Sequence, residues 1–224
     1  MRDLFFDLDD TLLDFGQAEH VAVQKAFRDV GVTPTPELLR RYSEINKQQW
    51  ERLERGEITR DALLVLRFDL LFQEMHIDVP GIACEDRYRQ YLAIGHYFVE
   101  GAEEILAYLA PKYRLFLASN GVAATQYSRL ASAGISHYFQ AIFISEDTGY
   151  HKPEREYFDY CFRQIPGFAP SHAMMIGDSL TSDILGGKRA GMQTCWFNPK
   201  QKPGRDDIRP DREIHALAEL KTFL

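Results

Sequence analysis

The stretch Asp3–Leu13, DLFFDLDDTLL, decides the fold. The run Leu4–Leu8 is short and apolar and stops abruptly at the acids Asp7–Asp10. A strand of that texture lies in the middle of a parallel sheet, with both faces covered by helices. Outward from it, residues from about 16 to 96 carry only helical periodicity. Apolar positions Val21, Val23, Ala26, Phe27 and Val30 are followed by Gly31 as a stop. Thr35-Pro36 opens a second helix, with Thr as N-cap and Pro in the first turn. Thr59 opens a third, and a fourth spans about Cys84–Gly95.

After residue 101 the texture alternates. Strands are expected at Arg114–Ala118, Ala141–Ile144, Ala173–Ile176 and Thr194–Phe197. Helices are expected at 102–110, at about 123–132, from Pro153 and at 180–190. Such alternation means parallel β-α-β units. The tail, Pro199–Pro210, reads as a charged loop before a short helix, Ala216–Phe223. The fold class is therefore α/β: a Rossmann-like parallel core of about five strands, residues 1–15 and 97–224, with a helical domain, residues 16–96, inserted after strand one. There are no internal repeats.

With 224 residues, 45% hydrophobic and 26% charged, the composition is ordinary for a globular chain and excludes disorder, collagen and coiled coil. The net charge of −7 makes nucleic acid an unfavourable partner, while leaving room for a small phosphate ester in a local cationic pocket. Cys84, Cys161 and Cys195 are scattered and odd in number, which fits reduced thiols. No apolar run approaches the ~18 residues of a membrane span. The start, MRDLFFDLDD, has acids where a signal peptide needs its apolar core. The expectation is a cytoplasmic protein without membrane partners.

Four polar clusters follow strand ends: Asp7–Thr11, Ser119-Asn120-Gly121, Lys152-Pro153, and Gly177-Asp178 with Asp183 five residues on. Singly, Ser-Asn-Gly is a turn and a Lys before Pro a solvated side chain. Parallel topology, however, brings all four to one sheet edge, where ligands bind. Acids crowded there repel one another unless a cation joins them. Hard carboxylate oxygens suit Mg²⁺, which also takes a substrate phosphate oxygen. A carboxylate nucleophile can form an aspartyl phosphate. Gly187-Lys188 in ILGGKRAG is no phosphate loop, since Ser182 stands where the first glycine belongs and Arg189 where Ser or Thr is needed.

FFDLDDTLL, LASNG, HKPE and GDSLTSD, in that order and spacing, resemble the four motifs of the haloacid dehalogenase-like superfamily. The helical insertion is similar to that family's C1-type cap. The family's dehalogenases lack an acid two residues after the nucleophile, whereas its phosphatases and phosphomutases carry one, here Asp9. The segments INKQQW, GEIT, SEDTGYHKPE and GDSLTSDILGGKRAGMQTCWFN resemble the YjjG/YfnB-type pyrimidine 5′-nucleotidases.

The resemblance implies a Mg²⁺-dependent phosphomonoesterase acting on a small-molecule phosphate ester. Asp7 would be the nucleophile and Asp9 the general acid, then general base. Mg²⁺ would sit on the carboxylates of Asp7 and Asp178 and on the carbonyl of Asp9. Lys152 would offset charge on the transferring group, and Ser119 and Asn120 would hold its oxygens. Asp183 would orient a metal-bound water or Lys152, and Thr11 would hydrogen-bond near Asp9. A sugar phosphomutase is the rival on the same fold, and a non-catalytic phosphate-binding protein the rival of a different class. Tyr42, Asn46 and Trp50 fall at i, i+4 and i+8 of the second inserted helix. They are candidates for reading a pyrimidine base, against the plainer reading that the aromatics are core and Asn46 its wet margin.

Overall fold

The computed structural model describes residues 2–224. Six parallel strands form one sheet: β1 (Asp3–Phe6), β2 (Arg114–Ser119), β3 (Ala141–Ile144), β4 (Ala173–Gly177), β5 (Gln193–Phe197) and β6 (Arg212–Ile214), in the order β3-β2-β1-β4-β5-β6. The expectation of about five strands is corrected by β6. It has three residues and exposes its Arg and Glu, so its charged sequence carries no strand signal.

Alternate residues of β1 feed two cores. Leu4 and Phe6 join Leu117, Ile176 and Leu106 on one face, and Phe5 joins Phe116, Met175 and Phe158 on the other. Burial on both faces is what the unbroken apolar run reported. Register is fixed at the far end of the strand: Asp3, opposite Arg114, accepts from Nε at 2.5 Å and Nη2 at 2.8 Å. Chain order reverses beside β1, with β2 on one side and β4 on the other. Such a switch point opens a crevice at the strands' carboxyl ends. Asp7 and Asp178 leave β1 and β4 at that point, and the Asp7 N–H donates to Ile176 O at 2.9 Å.

The chain divides into two compact units, residues 1–15 with 96–224, and residues 16–95. In the second, α1 (Phe15–Asp29), α2 (Pro36–Glu54), α3 (Arg60–Glu74) and α4 (Gly81–Leu92) enclose the rings of Phe27, Tyr42, Phe68, Phe72 and Tyr88. Thr35 and Thr59 cap α2 and α3, accepting from Leu38 N and Ala62 N. The fourth helix starts three residues before its expected position.

In the first unit, α5 (Ala102–Leu109), α6 (Ala123–Ala133), the single turn α7 (Ser145–Thr148), α8 (Arg155–Arg163) and α9 (Leu185–Arg189) link the strands. The helix expected at 180–190 is a π-turn, Leu180–Ile184, running into α9. The expected C-terminal α-helix is a 3₁₀ segment, Leu217–Thr222. Gly186 and Gly187 lie so close to Phe158, Pro153, Met175 and Thr194 that a Cβ on either would meet them at 2.6–3.1 Å. The glycines of ILGGKRAG therefore let a helix approach the sheet, and Gly191, at φ +79°, ends it.

Candidate active site

Lys152 organises the sheet edge. Its ammonium is buried and donates three hydrogen bonds, to Asp7 Oδ1 at 2.6 Å, Asp183 Oδ1 at 2.7 Å and Ala118 O at 2.7 Å. Every N–H is used. Burial pushes this lysine toward neutrality, but Asp183 and Asp7 outweigh it and hold the charge.

Asparagine supplies the bracket that fixes Lys152 in place. Asn120 Oδ1 accepts from Lys152 N at 2.8 Å, and Asn120 Nδ2 donates to Lys152 O at 2.8 Å and Ser182 Oγ at 3.3 Å. Both ends of the Asn120 side-chain amide are thus committed to chain segments, and the side chain positions Lys152.

Asp183 is reached through the π-turn. Ser179 caps that turn by accepting from Ser182 N, and its own N–H donates to Asp183 Oδ2 at 3.0 Å. The wider turn folds Asp183 back beside Gly177, where a Cβ would lie 2.2 Å from its carboxylate. Asp183 is thus occupied with Lys152 and with the loop.

Oxygens of Asp7, Asp178 and Asp183 lie within 4.8 Å of one another. One lysine among three carboxylates leaves an excess of negative charge, and the acids respond. Burial raises Asp7 well above the usual carboxylate range, Lys152 opposes this, and Asp183, Asp9 and Asp178 add to it. Burial raises Asp178 to about 7, Asp183 adds to this, and Lys202 opposes it. Carboxylates held close enough to resist ionisation, at the mouth of a parallel sheet, are a donor set that fits a divalent cation.

Ser119 Oγ accepts from Gly121 N at 3.1 Å and Gln126 Nε2 at 2.8 Å. With both lone pairs used, its hydroxyl proton is the group left to donate to a ligand oxygen. Asp9 is half-buried beside it. Its Oδ2 accepts from Gln126 Nε2 at 2.6 Å, and its Oδ1 pairs with Arg129. Thr11 does not reach this carboxylate. Its hydroxyl is buried with no hydrogen-bond partner among the described residues, so the expected bond near Asp9 is corrected: Gln126 and Arg129 already hold both oxygens.

Sequence reading missed three residues here. Gln126 and Arg129 sit i, i+3 on a helix whose letters read as an ordinary polar face, and only their burial, 2% and 0% exposed, betrays a partner. Lys202, from the charged tail, lies 3.3 Å from Asp178 Oδ2, its backbone bracketed by Asn198.

The candidate base-reading stripe lies in the helical unit. Tyr42 is fully buried among rings. Asn46 is no wet margin: Nδ2 donates to Glu19 Oε1 at 2.5 Å and Oδ1 accepts from Arg67 Nη1 at 2.9 Å. Both ends of its amide being used, the base-reading role is corrected for Tyr42 and Asn46. Trp50 is half-buried, whereas the other two are buried.

Residues 4–197 match the family model for haloacid dehalogenase-like hydrolases. The chain is 43% identical to YfnB of Bacillus subtilis, named as a HAD hydrolase, with 100% of this chain and 95% of that one covered. It is 37% identical to the pyrimidine 5′-nucleotidase PynA of Streptococcus pneumoniae (97% and 92% covered). It is 32% identical to the pyrimidine 5′-nucleotidase YjjG of Escherichia coli (99% and 96% covered). A magnesium-bound crystal structure of the Bacillus subtilis YfnB, which reveals interdomain movement, superposes with a TM-score of 0.96, covering 100% of this chain and 98% of that one at 43% identity. On the motif order, the lysine-centred carboxylate cluster and full-length likeness, this chain belongs to the haloacid dehalogenase-like hydrolases.

Proposed function

We propose that the protein is a Mg²⁺-dependent phosphomonoesterase working through an aspartyl phosphate, with nucleoside 5′-monophosphates, pyrimidines preferred, as substrates. The observation that carries the reading is Asp9, a carboxylate beside Ser119 and two residues past the nucleophile. A departing halide needs no proton, whereas a departing alcohol does, so an acid at this place fits phosphate esters rather than haloacids. The nucleotide preference is supported by the full-length likeness to PynA and YjjG.

In this scheme an Asp7 oxygen attacks phosphorus, the P–O bond to the alcohol breaks, and Asp9 gives the alcohol oxygen its proton. Water then attacks the aspartyl phosphate, losing its proton to Asp9 and releasing phosphate with Asp7 regenerated. Ser119 Oγ–H would donate to a transferring oxygen, and the Lys152 ammonium, its three N–H groups committed, would offset the charge that builds there. Asp7 and Asp178, with the Asp9 carbonyl, would hold Mg²⁺, which when bound lowers the repulsion between an anionic nucleophile and an anionic ester. A phosphate-release screen over a few dozen esters with Mg²⁺ tests the reading. Turnover highest on pyrimidine monophosphates is the expected result, and no release from any ester overturns it.

The raised carboxylates make metal binding compete with protons, because ligands bind deprotonated. In the metal-free protein, Asp7 and Asp178 sit above their unfolded values, so their contribution to stability is full below about pH 4. It is lost as pH rises through about 7 for Asp178. Mg²⁺ reverses that loss. Its stabilising increment in melting temperature is therefore small at about pH 5.5 and several-fold larger at about pH 8. Equal increments at both pH values, measured by calorimetry at one Mg²⁺ concentration, would remove the carboxylates from the metal site.

A further inference from the structure

The amide of Gln126 is completely engaged. Its Nε2 donates one hydrogen to Asp9 Oδ2 at 2.6 Å and the other to Ser119 Oγ at 2.8 Å, while its Oε1 accepts from Arg129 Nη1 at 3.1 Å. The amide orientation is forced, because turning it over would set a carbonyl against the Asp9 carboxylate. Gly121 makes room for it: a Cβ there would lie 2.5 Å from Gln126 Nε2. Arg129 takes the other Asp9 oxygen, and its guanidinium lies 5.7 Å from the centre of the Phe15 ring. Phe15 N in turn donates to Asp10 Oδ1 at 3.0 Å. A fully buried guanidinium is too costly to leave without an anion, so the pairing with Asp9 is held from both sides.

We infer that Gln126 and Arg129 are positioning residues that aim the Asp9 carboxylate and tie it to Ser119, so that proton transfer to the departing ester oxygen, and then from the attacking water, depends on them while phosphate capture does not. The inference rests on the phosphatase reading of Asp9. Two acceptor oxygens gripped by two donors from one helix face leave the carboxylate no rotational freedom. A general acid displaced by about 1 Å loses much of its advantage.

The experiment uses the full chain with Mg²⁺ and follows release of the alcohol in the first turnover, before water attacks, from two esters, a nucleoside 5′-monophosphate and p-nitrophenyl phosphate, whose phenolate leaves without a proton. Gln126→Met, close in shape but without donors, lowers the rate of that release from the nucleotide about 10- to 100-fold. It leaves KM within about threefold, and costs less than about threefold on the nitrophenyl ester. In an Asp9→Asn background the same change does nothing further, because the group it positions is gone. Arg129→Lys, which keeps the charge, retains most activity where Arg129→Met does not. Should Gln126→Met fail to fold, Gln126→Glu carries the test, since a second carboxylate against Asp9 displaces it and gives the same leaving-group-selective loss. Equal loss on both esters, a loss appearing in KM, or full additivity with Asp9→Asn overturns the inference and returns Gln126 to Ser119 or to packing. A parent protein that hydrolyses neither ester overturns the phosphatase reading itself, a result distinct from any pattern among the variants.

Discussion

On the proposed aspartyl-phosphate scheme, Asp7→Asn lowers turnover by about 10³-fold or more, a barrier increase of about 4 kcal/mol, because the covalent route closes when the nucleophile is an amide. The fold survives the change. Asparagine is nearly isosteric, and Lys152 keeps Asp183 Oδ1 and Ala118 O as acceptors, leaving a neutral ion pair where one cation faced two anions. Burial already penalises the charge on Asp7, so the variant's metal-free melting temperature equals or exceeds the parent's at neutral pH. A beryllium fluoride adduct, a mimic of aspartyl phosphate, forms on the parent and not on Asp7→Asn. Turnover within about tenfold of the parent, or collapse of the fold, contradicts the assignment.

The letters reported which strand-end residues gather at the sheet edge better than what supports them. Asp7, Ser119, Lys152 and Asp178 were legible because each follows an apolar strand, and parallel topology sends strand ends to one edge. Asn120 was legible as a neighbour of that edge, but only three-dimensional structure shows its side-chain amide spanning 32 residues to bracket Lys152. Gln126 and Arg129 gave no signal. A glutamine and an arginine at i, i+3 suit a solvated helix face, and what buries them is Asp9, 117 and 120 residues away in sequence. The sixth strand was missed for a related reason: three residues on a sheet edge need no apolar run, so a charged tail supplies them. In each case local periodicity is satisfied by more than one tertiary partner, and the partner decides the role.

The inserted helices show the same ambiguity in a stability question. Tyr42 and Asn46 look like a recognition stripe in sequence, yet Asn46 belongs to a buried polar chain with one member from each helix. Glu19 accepts from Asn46, Asn46 accepts from Arg67, and Arg67 Nη2 donates to Glu85 at 2.6 Å. The Arg67 guanidinium lies among the rings of Tyr42, Phe68 and Tyr88, 4.6–6.0 Å from their centres. Arg67→Met fills the volume but strips buried Glu85 of the guanidinium it pairs with, an outcome that costs about 3–5 kcal/mol. Across a unit of residues 16–95 that is a fall of roughly 12 °C or more in its melting transition. The pH dependence identifies the cause. Burial already raises Glu85 above its ordinary value, with Arg67 opposing, so removing the arginine raises it further. A carboxyl raised on folding stabilises below its unfolded value and loses that contribution as pH rises through its folded one. Arg67→Met therefore loses less at about pH 5, where the raised Glu85 carboxyl carries less charge, than at about pH 8. Glu85→Gln still accepts from Arg67, and its penalty lacks the pH dependence because no carboxyl remains there to titrate. Calorimetry of the three proteins at the two pH values is the check. A penalty for Arg67→Met below about 1 kcal/mol, or one independent of pH, would mean that ring packing rather than the ion network holds the four helices together.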